Sequence, residues 1–171
     1  KIKRKMKTLV IIPSRLSASR LPGKPLLKIN GISIISHVYK KAQEADIGDV
    51  FVAAEDQEIV EDVRQNGGEA ILTSNNHKTG TDRIYEALIK LGRSDIELVM
   101  NLQGDEPLMN IEDIQNLNSN MIKSKRDLGT LAAKINDKKV YENQDVVKVI
   151  TEKSLDVTKF PQALDFTSKL D

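Results

Sequence analysis

Apolar runs and polar segments alternate along most of the chain. Short apolar runs without intervening polar residues are typical of strands buried on both faces of a parallel sheet. Such runs predict strands at residues 9–12 and 49–54, and further segments rich in apolar residues predict strands at 69–72, 96–102, 128–135 and 146–150. Apolar positions at helical spacing predict helices at residues 34–45, 57–65, 82–91 and 111–124. This alternation of strands and helices predicts a three-layer α/β/α fold around a mostly parallel, Rossmann-like sheet.

Signals for the ends of these elements accompany the pattern. Ser33 is placed to cap the first predicted helix, and Thr79 or Thr81 can cap the third. Asn-Gly-Gly at 66–68 is a helix stop. Pro13 is expected to end the first strand, because proline cannot donate a hydrogen bond to a ladder.

Composition narrows the class of protein. The chain has 171 residues, 39% hydrophobic and 30% charged, which is ordinary for a globular protein of one domain. A net charge of +1 gives no bias toward nucleic acid or membrane surfaces. No apolar run approaches the roughly 18 residues of a membrane span, and the absence of cysteine fits a reducing compartment such as the cytoplasm. Residues 1–5 are basic and are interpreted as a frayed N-terminal extension, which leaves 6–171 as the domain.

A cationic loop follows the first predicted strand. It contains Arg15, Arg20 and Lys24 among small residues that allow a ligand to approach the backbone. Ligands of open α/β sheets bind at the carboxyl ends of the strands, so three cations at this edge suit an oligophosphate. A solvated basic loop would have the same composition. The spacing of a Walker A loop is absent.

Two further loops are expected at the same edge of the sheet. In one, Asp105 is placed to bind Mg²⁺, which prefers one or two carboxylates plus phosphate oxygens, although a plain acidic turn fits this segment taken alone. In the other, Gly80 allows close approach to the free N–H groups of the next helix, and simple capping explains these residues equally well. His77 has no partner that suggests metal ligation, and His37 falls within a predicted helix and is interpreted as structural.

Three segments together resemble the CMP-Kdo synthetases (3-deoxy-manno-octulosonate cytidylyltransferases), a branch of the sugar nucleotidyltransferases. They are Arg-Leu-Pro-Gly-Lys-Pro-Leu at 20–26, His-Lys-Thr-Gly-Thr-Asp-Arg at 77–83 and Leu-Gln-Gly-Asp-Glu-Pro at 102–107. The first and third are the most specific of the three. The resemblance covers most of residues 6–150 and implies the fold of the nucleotide-diphospho-sugar transferases.

The resemblance also implies a reaction and roles for individual residues. CTP and Kdo would give CMP-Kdo and pyrophosphate for lipopolysaccharide biosynthesis, with Mg²⁺ as cofactor. The implied catalytic residues are Arg15 and Lys24, as triphosphate clamps, and Asp105, as the Mg²⁺ ligand. The implied substrate-binding residues are Ser14, Arg20, Thr73, His77, Thr79, Gly80 and Gln103.

The chain departs from the family pattern in three places. Val-Ala-Ala-Glu-Asp at 52–56 stands where the family usually has Val-Ala-Thr-Asp, and Ser74 stands where many relatives carry arginine. The resemblance fades toward the last residue, whereas family members continue and there contribute Kdo-binding residues, a second metal-binding carboxylate and much of a homodimer interface. Asp165 and Asp171 are unsupported candidates for that carboxylate. We therefore expect these residues to bind nucleotide but to synthesise little CMP-Kdo.

Two other functions stay open at this stage. The first is a nucleotidyltransferase that uses another sugar or base, because Gln-Gly-Asp-Glu-Pro constrains the sugar only indirectly. The second is an inactive, truncated nucleotide-binding remnant. A panel of nucleotides in a binding assay and the coding sequence beyond residue 171 would distinguish these functions.

Overall fold

The computed structural model describes residues 7–17, 21–105 and 107–168. Contacts divide the chain into two compact units, Lys1–Ile122 and Lys123–Asp171. The strands of the first unit are β1 (Thr8–Ser14), β2 (Lys28–Ile29), β3 (Ile32–Ser33), β4 (Gly48–Ala54), β5 (Ala70–Leu72) and β6 (Leu98–Asn101). Its helices are α1 (Ile34–Glu44), α2 (Gln57–Gln65), α3 (Gly80–Leu91) and α4 (Ile111–Ser124), which ends just past the boundary.

The first unit is built on a parallel sheet of four strands in the order β5-β4-β1-β6. Strand β1 pairs with β4 along its whole length and with β6 from Thr8 to Ile11. The four apolar residues from Leu9 to Ile12 are completely buried, as expected for a strand covered on both faces. Because all four strands run the same way, their carboxyl ends lie at one edge.

Helices cover both faces of this sheet. Val10 and Ile12 belong to a buried cluster with side chains of α1, α2 and α4, whereas Leu9 and Ile11 pack with Ile84 of α3. The alternation follows from the two-residue period of a strand, which sends successive side chains to opposite faces. The three-layer α/β/α fold with a mostly parallel sheet is confirmed.

The helices begin and end close to their predicted positions. Ser33 caps α1, since its hydroxyl accepts a hydrogen bond from the Ser36 backbone N–H at 3.2 Å. Thr79 caps α3 in the same way through Asp82, at 3.1 Å, so this helix begins two residues earlier than predicted. In α1 the predicted apolar face is buried.

The prediction that Pro13 ends the first strand is wrong. Strand β1 continues to Ser14, and Pro13 lies opposite Ala53 of β4. The last hydrogen bond on the β6 side is donated by the Leu102 N–H to the Ile11 carbonyl, at 3.1 Å. In a strand, the backbone groups of every second residue point to the same neighbouring strand. The Ile11 carbonyl faces β6, so the backbone nitrogen of Pro13 also points to that side, but beyond the last residue that pairs with β6. Its missing N–H therefore interrupts no ladder.

The second unit contains the helix α5 (Lys138–Glu142) and an antiparallel pair of strands, β7 (Lys148–Thr151) and β8 (Ala163–Thr167). Lys148 is 5% exposed, and its ammonium donates hydrogen bonds to the carbonyls of Asn143 and Ser168. These bonds tie the strand pair to the chain on either side of it.

Two predictions fail in the second unit. The predicted strand at 128–135 is irregular in the structure, and Leu128 and Leu131 are 85% and 48% exposed. A strand needs a partner for its backbone groups, and no described strand pairs with this segment. The strand predicted at 146–150 forms near its expected place but pairs antiparallel with β8, outside the parallel sheet, and β8 itself lacked a periodic signal. The interpretation of 6–171 as one domain stays a prediction.

No helix in the described part of the chain combines the length and apolar character that a membrane crossing requires.

We expect Ile12→Ala to lower the free energy of unfolding by about 2–5 kcal/mol, because it leaves a cavity between the sheet and α1. Urea unfolding at neutral pH measures the change. The matched control is Ile89→Ala on α3, where the side chain is 62% exposed, and its effect should stay within about 0.5 kcal/mol. Equal destabilisation by both substitutions would contradict this packing.

Candidate active site

A cleft of about 340 Å³ lies at the carboxyl edge of the parallel sheet. Described residues of three loops line it: the first loop (15–17 and 21–23) follows β1, the second loop (73–79) follows β5, and the third loop (102–105) follows β6. The site residues predicted from the sequence that line it are Ser14, Arg15, Lys24, His77, Thr79, Gly80, Gln103 and Asp105. Arg20 lies outside the described residues, as do Glu106 and Asp171.

Close packing on Pro13 brings the loops together. A Cβ atom on Gly104 would lie 3.0 Å from the Pro13 carbonyl oxygen and 3.1 Å from Ile35 Cδ1. A Cβ atom on Gly80 would lie 3.3 Å from Pro13 Cγ. Any larger residue at Gly104 would push the third loop away from β1, so glycine is what allows this loop to approach the end of the central strand.

The cationic and acidic sides of the cleft meet directly. The Lys24 ammonium lies 3.1 Å from a carboxylate oxygen of Asp105, and the two side chains are 33% and 58% exposed. An ion pair with this much solvent contact is weak, so either charge can turn to a ligand with little loss of free energy. The backbone of the first loop is anchored separately, because the Leu16 N–H donates to an Asp56 carboxylate oxygen at 2.8 Å.

On the opposite side of the cleft, His77 is held by Glu86 of α3. The His77 Nε2 contacts a Glu86 carboxylate oxygen, which also accepts a hydrogen bond from the Ser74 backbone N–H at 2.9 Å. The Lys90 ammonium lies 2.7 Å from the other oxygen. The hydrogen bonds from Lys90, His77 and Ser74 lower the pKa of Glu86 to about 2. An ionised carboxylate only accepts hydrogen bonds, so His77 Nε2 is the donor.

Thr73 lies behind the cleft and does not line it. It is 5% exposed, and its hydroxyl accepts a hydrogen bond from the guanidinium of Arg83 at 2.7 Å. Arg83 does line the cleft, is itself 3% exposed and pairs with Glu55. In the sequence, Arg83 belongs to the motif at 77–83 but has no predicted role, because nothing in the sequence indicates that it contacts Glu55.

Ser14 presents a buried hydroxyl to the same site. The residue is 7% exposed, and its Oγ makes no hydrogen bond to the described part of the protein. A buried hydroxyl without a partner is unfavourable by about 1–3 kcal/mol. A ligand group in the cleft would remove that penalty.

Carboxylates do not cluster in the described residues. No group of three or more His, Cys, Asp or Glu side chains there is arranged to hold a metal ion. Asp165, in β8 of the second unit, is exposed, and its carboxylate accepts a hydrogen bond from the Phe166 N–H at 2.8 Å. The role of Asp105 as a metal ligand stays a prediction. His37, predicted to be structural, contacts the Ile29 carbonyl at 2.8 Å.

We expect Glu86→Gln to destabilise the protein at pH 7 but not near pH 2. The folded pKa of about 2 lies below the ordinary value of 4.5, so the carboxylate stabilises the fold above about pH 4.5, and this contribution disappears as the pH falls toward 2. Urea unfolding at several pH values measures the difference from the wild type. The control Glu44→Gln changes an exposed residue of α1 and should have little effect. A difference that does not vary with pH would contradict the geometry.

This chain is similar in sequence to known cytidylyltransferases. The family model for cytidylyltransferases matches residues 9–164. The 3-deoxy-manno-octulosonate cytidylyltransferase of Afipia carboxidovorans is 46% identical over 144 residues, covering 84% of this chain and 58% of that protein. The protein of the same name from Histophilus somni is 42% identical over 155 residues, covering 91% of this chain and 60% of that protein.

A solved structure is also similar. It is that of CMP:2-keto-3-deoxy-manno-octonic acid synthetase in complex with CTP, which matches with a TM-score of 0.82 and 36% identity. The match covers 95% of this chain and 64% of that one. The chain thus spans about 60% of the length of the curated relatives named above. These matches confirm the resemblance and the fold type inferred from the three loops, and the chain belongs to the cytidylyltransferase family.

Proposed function

We propose that this chain provides the nucleotide site of a cytidylyltransferase that activates Kdo with CTP and releases CMP-Kdo and pyrophosphate, for lipopolysaccharide biosynthesis. One observation carries the proposal: Arg15 and Lys24 line the same cleft as Asp105, which follows Lys24 by 81 positions in the sequence. A triphosphate needs cations, and its metal needs a carboxylate. The names of the similar proteins support CTP and Kdo as the substrates.

In this reaction a hydroxyl oxygen of the sugar forms a bond to the α-phosphorus of CTP. The bond from that phosphorus to the oxygen bridging to the β-phosphate breaks, pyrophosphate leaves with the electron pair, and the hydroxyl proton passes to solvent. Such a transfer asks the protein mainly to position the reactants and to neutralise charge. The cleft offers groups for both tasks.

Arg15 and Lys24 are the proposed clamps for the triphosphate, with Arg20 as a further candidate. Lys24 begins a short 3₁₀ turn, Lys24–Leu26, in which Pro25 is buried, so its backbone is held in place. Its ammonium is paired with the exposed Asp105 and can exchange this partner for a phosphate oxygen. Charge-assisted hydrogen bonds of this kind are about twice as strong as neutral ones.

Asp105 is the proposed Mg²⁺ ligand. Its carboxylate is 58% exposed at the edge of the cleft, and a single carboxylate together with phosphate oxygens is a set that suits Mg²⁺. When bound, the ion would neutralise charge on the phosphates. Asp105 therefore holds the metal side of the triphosphate while Lys24 holds the other side.

The opposite side of the cleft is proposed to bind the nucleoside and the sugar acid. His77 is held in place by Glu86, and Thr79 and Gly80, which line the cleft, form the beginning of α3. The Ser14 hydroxyl, which has no hydrogen-bond partner among the described residues, supports a ligand contact in the cleft. Gln103 is proposed to lie near the sugar acid. Thr73 acts from behind, by holding Arg83.

The family match supports two broader proposals. It runs from residue 9 to residue 164 and so crosses the boundary between the two units, which supports 6–171 as part of one nucleotidyltransferase domain. A reaction that consumes CTP suits the cytoplasm. Assembly as a homodimer, implied for the full-length relatives, stays a prediction.

We expect Lys24→Ala to weaken CTP binding by about 1.5–3 kcal/mol, the usual range for a lost charge-assisted hydrogen bond. CMP binding should change far less, because CMP lacks the outer phosphates. Isothermal titration calorimetry with both nucleotides measures this. The control Lys28→Ala removes an exposed cation from β2 and should leave both affinities unchanged. If CMP weakens as much as CTP, Lys24 supports the loop and does not clamp phosphate.

We also expect CTP to bind more tightly with Mg²⁺ than in EDTA, and Asp105→Asn to remove most of this difference. The reason is that the amide keeps the shape of the side chain but loses the charge that holds the ion. Asp113→Asn, which alters an exposed carboxylate of α4, is the control. A wild-type protein that binds CTP equally in both conditions would exclude Asp105 from the metal site.

A further inference from the structure

We propose that Glu55 and Arg83 form a positioning pair that sets the distance between the first loop and the second loop. The inference rests on the proposed function, because it assumes a nucleotide that touches both loops. It assigns a role to Glu55, which the proposed mechanism does not otherwise use, and extends the role of Arg83.

Arg83 holds the second loop. It lies near the beginning of α3, and its guanidinium donates hydrogen bonds to the Thr73 hydroxyl at 2.7 Å and to the Ser74 carbonyl at 3.2 Å. The same guanidinium pairs with Glu55, and the two side chains are only 3% and 11% exposed. Breaking a buried pair of this kind is strongly destabilising because it leaves a charge without a partner. The link is therefore stiff.

Glu55 connects Arg83 to the first loop through hydrogen bonds. One of its carboxylate oxygens accepts the bond from Arg83, and the other accepts a hydrogen bond from the Ser17 hydroxyl at 3.2 Å. The neighbouring carboxylate of Asp56 holds the Leu16 N–H at 2.8 Å. Side chains thus connect the first loop, the end of β4 and the second loop in one continuous series.

The consequence concerns ligands that span both loops. When two parts of one molecule bind at two sites, the gain in affinity depends on how well their spacing matches that of the sites. A ligand that touches one loop has no such dependence. Glu55 also lies in the segment Val-Ala-Ala-Glu-Asp at 52–56, where this chain departs from the usual Val-Ala-Thr-Asp of the family.

The experiment compares CTP with two fragments of it, cytidine and inorganic tripolyphosphate, by calorimetry on the wild type and on Glu55→Gln. We expect CTP affinity to fall about tenfold or more in the variant, the range for a lost charged hydrogen bond, while each fragment changes less than about twofold. Loss of a fragment to the same degree as CTP would indicate a direct contact or general loosening. That result would overturn the inference, as would an unchanged CTP affinity.

Two further variants keep the test decisive. Ser17→Ala removes the contact at the first loop without leaving a buried charge, so it remains informative if Glu55→Gln does not fold. It should weaken the binding of CTP about 2- to 10-fold and have little effect on the binding of the fragments. An unchanged CTP affinity in Ser17→Ala would overturn the inference. Asp49→Asn breaks the pair with Arg93, 2.8 Å long at the other end of β4, and should leave all three affinities unchanged.

Binding of CTP and its fragments to the wild type distinguishes a failure of this inference from a failure of the proposed function. If it binds CTP and the variants show no selective loss, the positioning role fails and the proposed function stands. If it binds neither CTP nor the fragments, the proposed function fails and the inference falls with it.

Discussion

Burial of β1 on both faces is the constraint on which the rest of the first unit depends. Four consecutive apolar residues, Leu9 to Ile12, have no exposed surface, so helices must cover the sheet above and below them. Parallel pairing with β4 and β6 then brings the carboxyl ends of the strands to one edge. The polar loops that follow these strands therefore lie close together at this edge, and they form the cleft.

The charges around the cleft fall into two kinds that differ in solvent contact. The pair of Lys24 and Asp105 is largely exposed and can be rearranged by a ligand. The pair of Arg83 and Glu55 is almost completely buried, and removal of either partner would leave an isolated charge in the interior. A site that binds a charged substrate needs both kinds, exposed charges that change partners and buried charges that keep the loops in place.

Prediction from the sequence was accurate in the first unit and poor in the second. Strands at the centre of a parallel sheet are continuous apolar runs, and amphipathic helices carry a clear period, so local patterns sufficed for β1, β4 and α1 to α4. The segment at 128–135 and strand β8 depend on whether a partner strand is available, which a local window does not contain. Pro13 is a related case, because its position in the strand is allowed only by the early end of β6.

The sequence by itself determined the layered fold, the three loops and most of the side chains that line the cleft, because chain order and parallel pairing place those loops at one edge. It also carried the family resemblance, which the comparisons confirmed. Only the tertiary structure decided which charges meet. The contacts between Glu55 and Arg83, and between Lys24 and Asp105, join residues 28 and 81 positions apart. Their distances follow from the packing of different elements and leave no periodic signal in the chain.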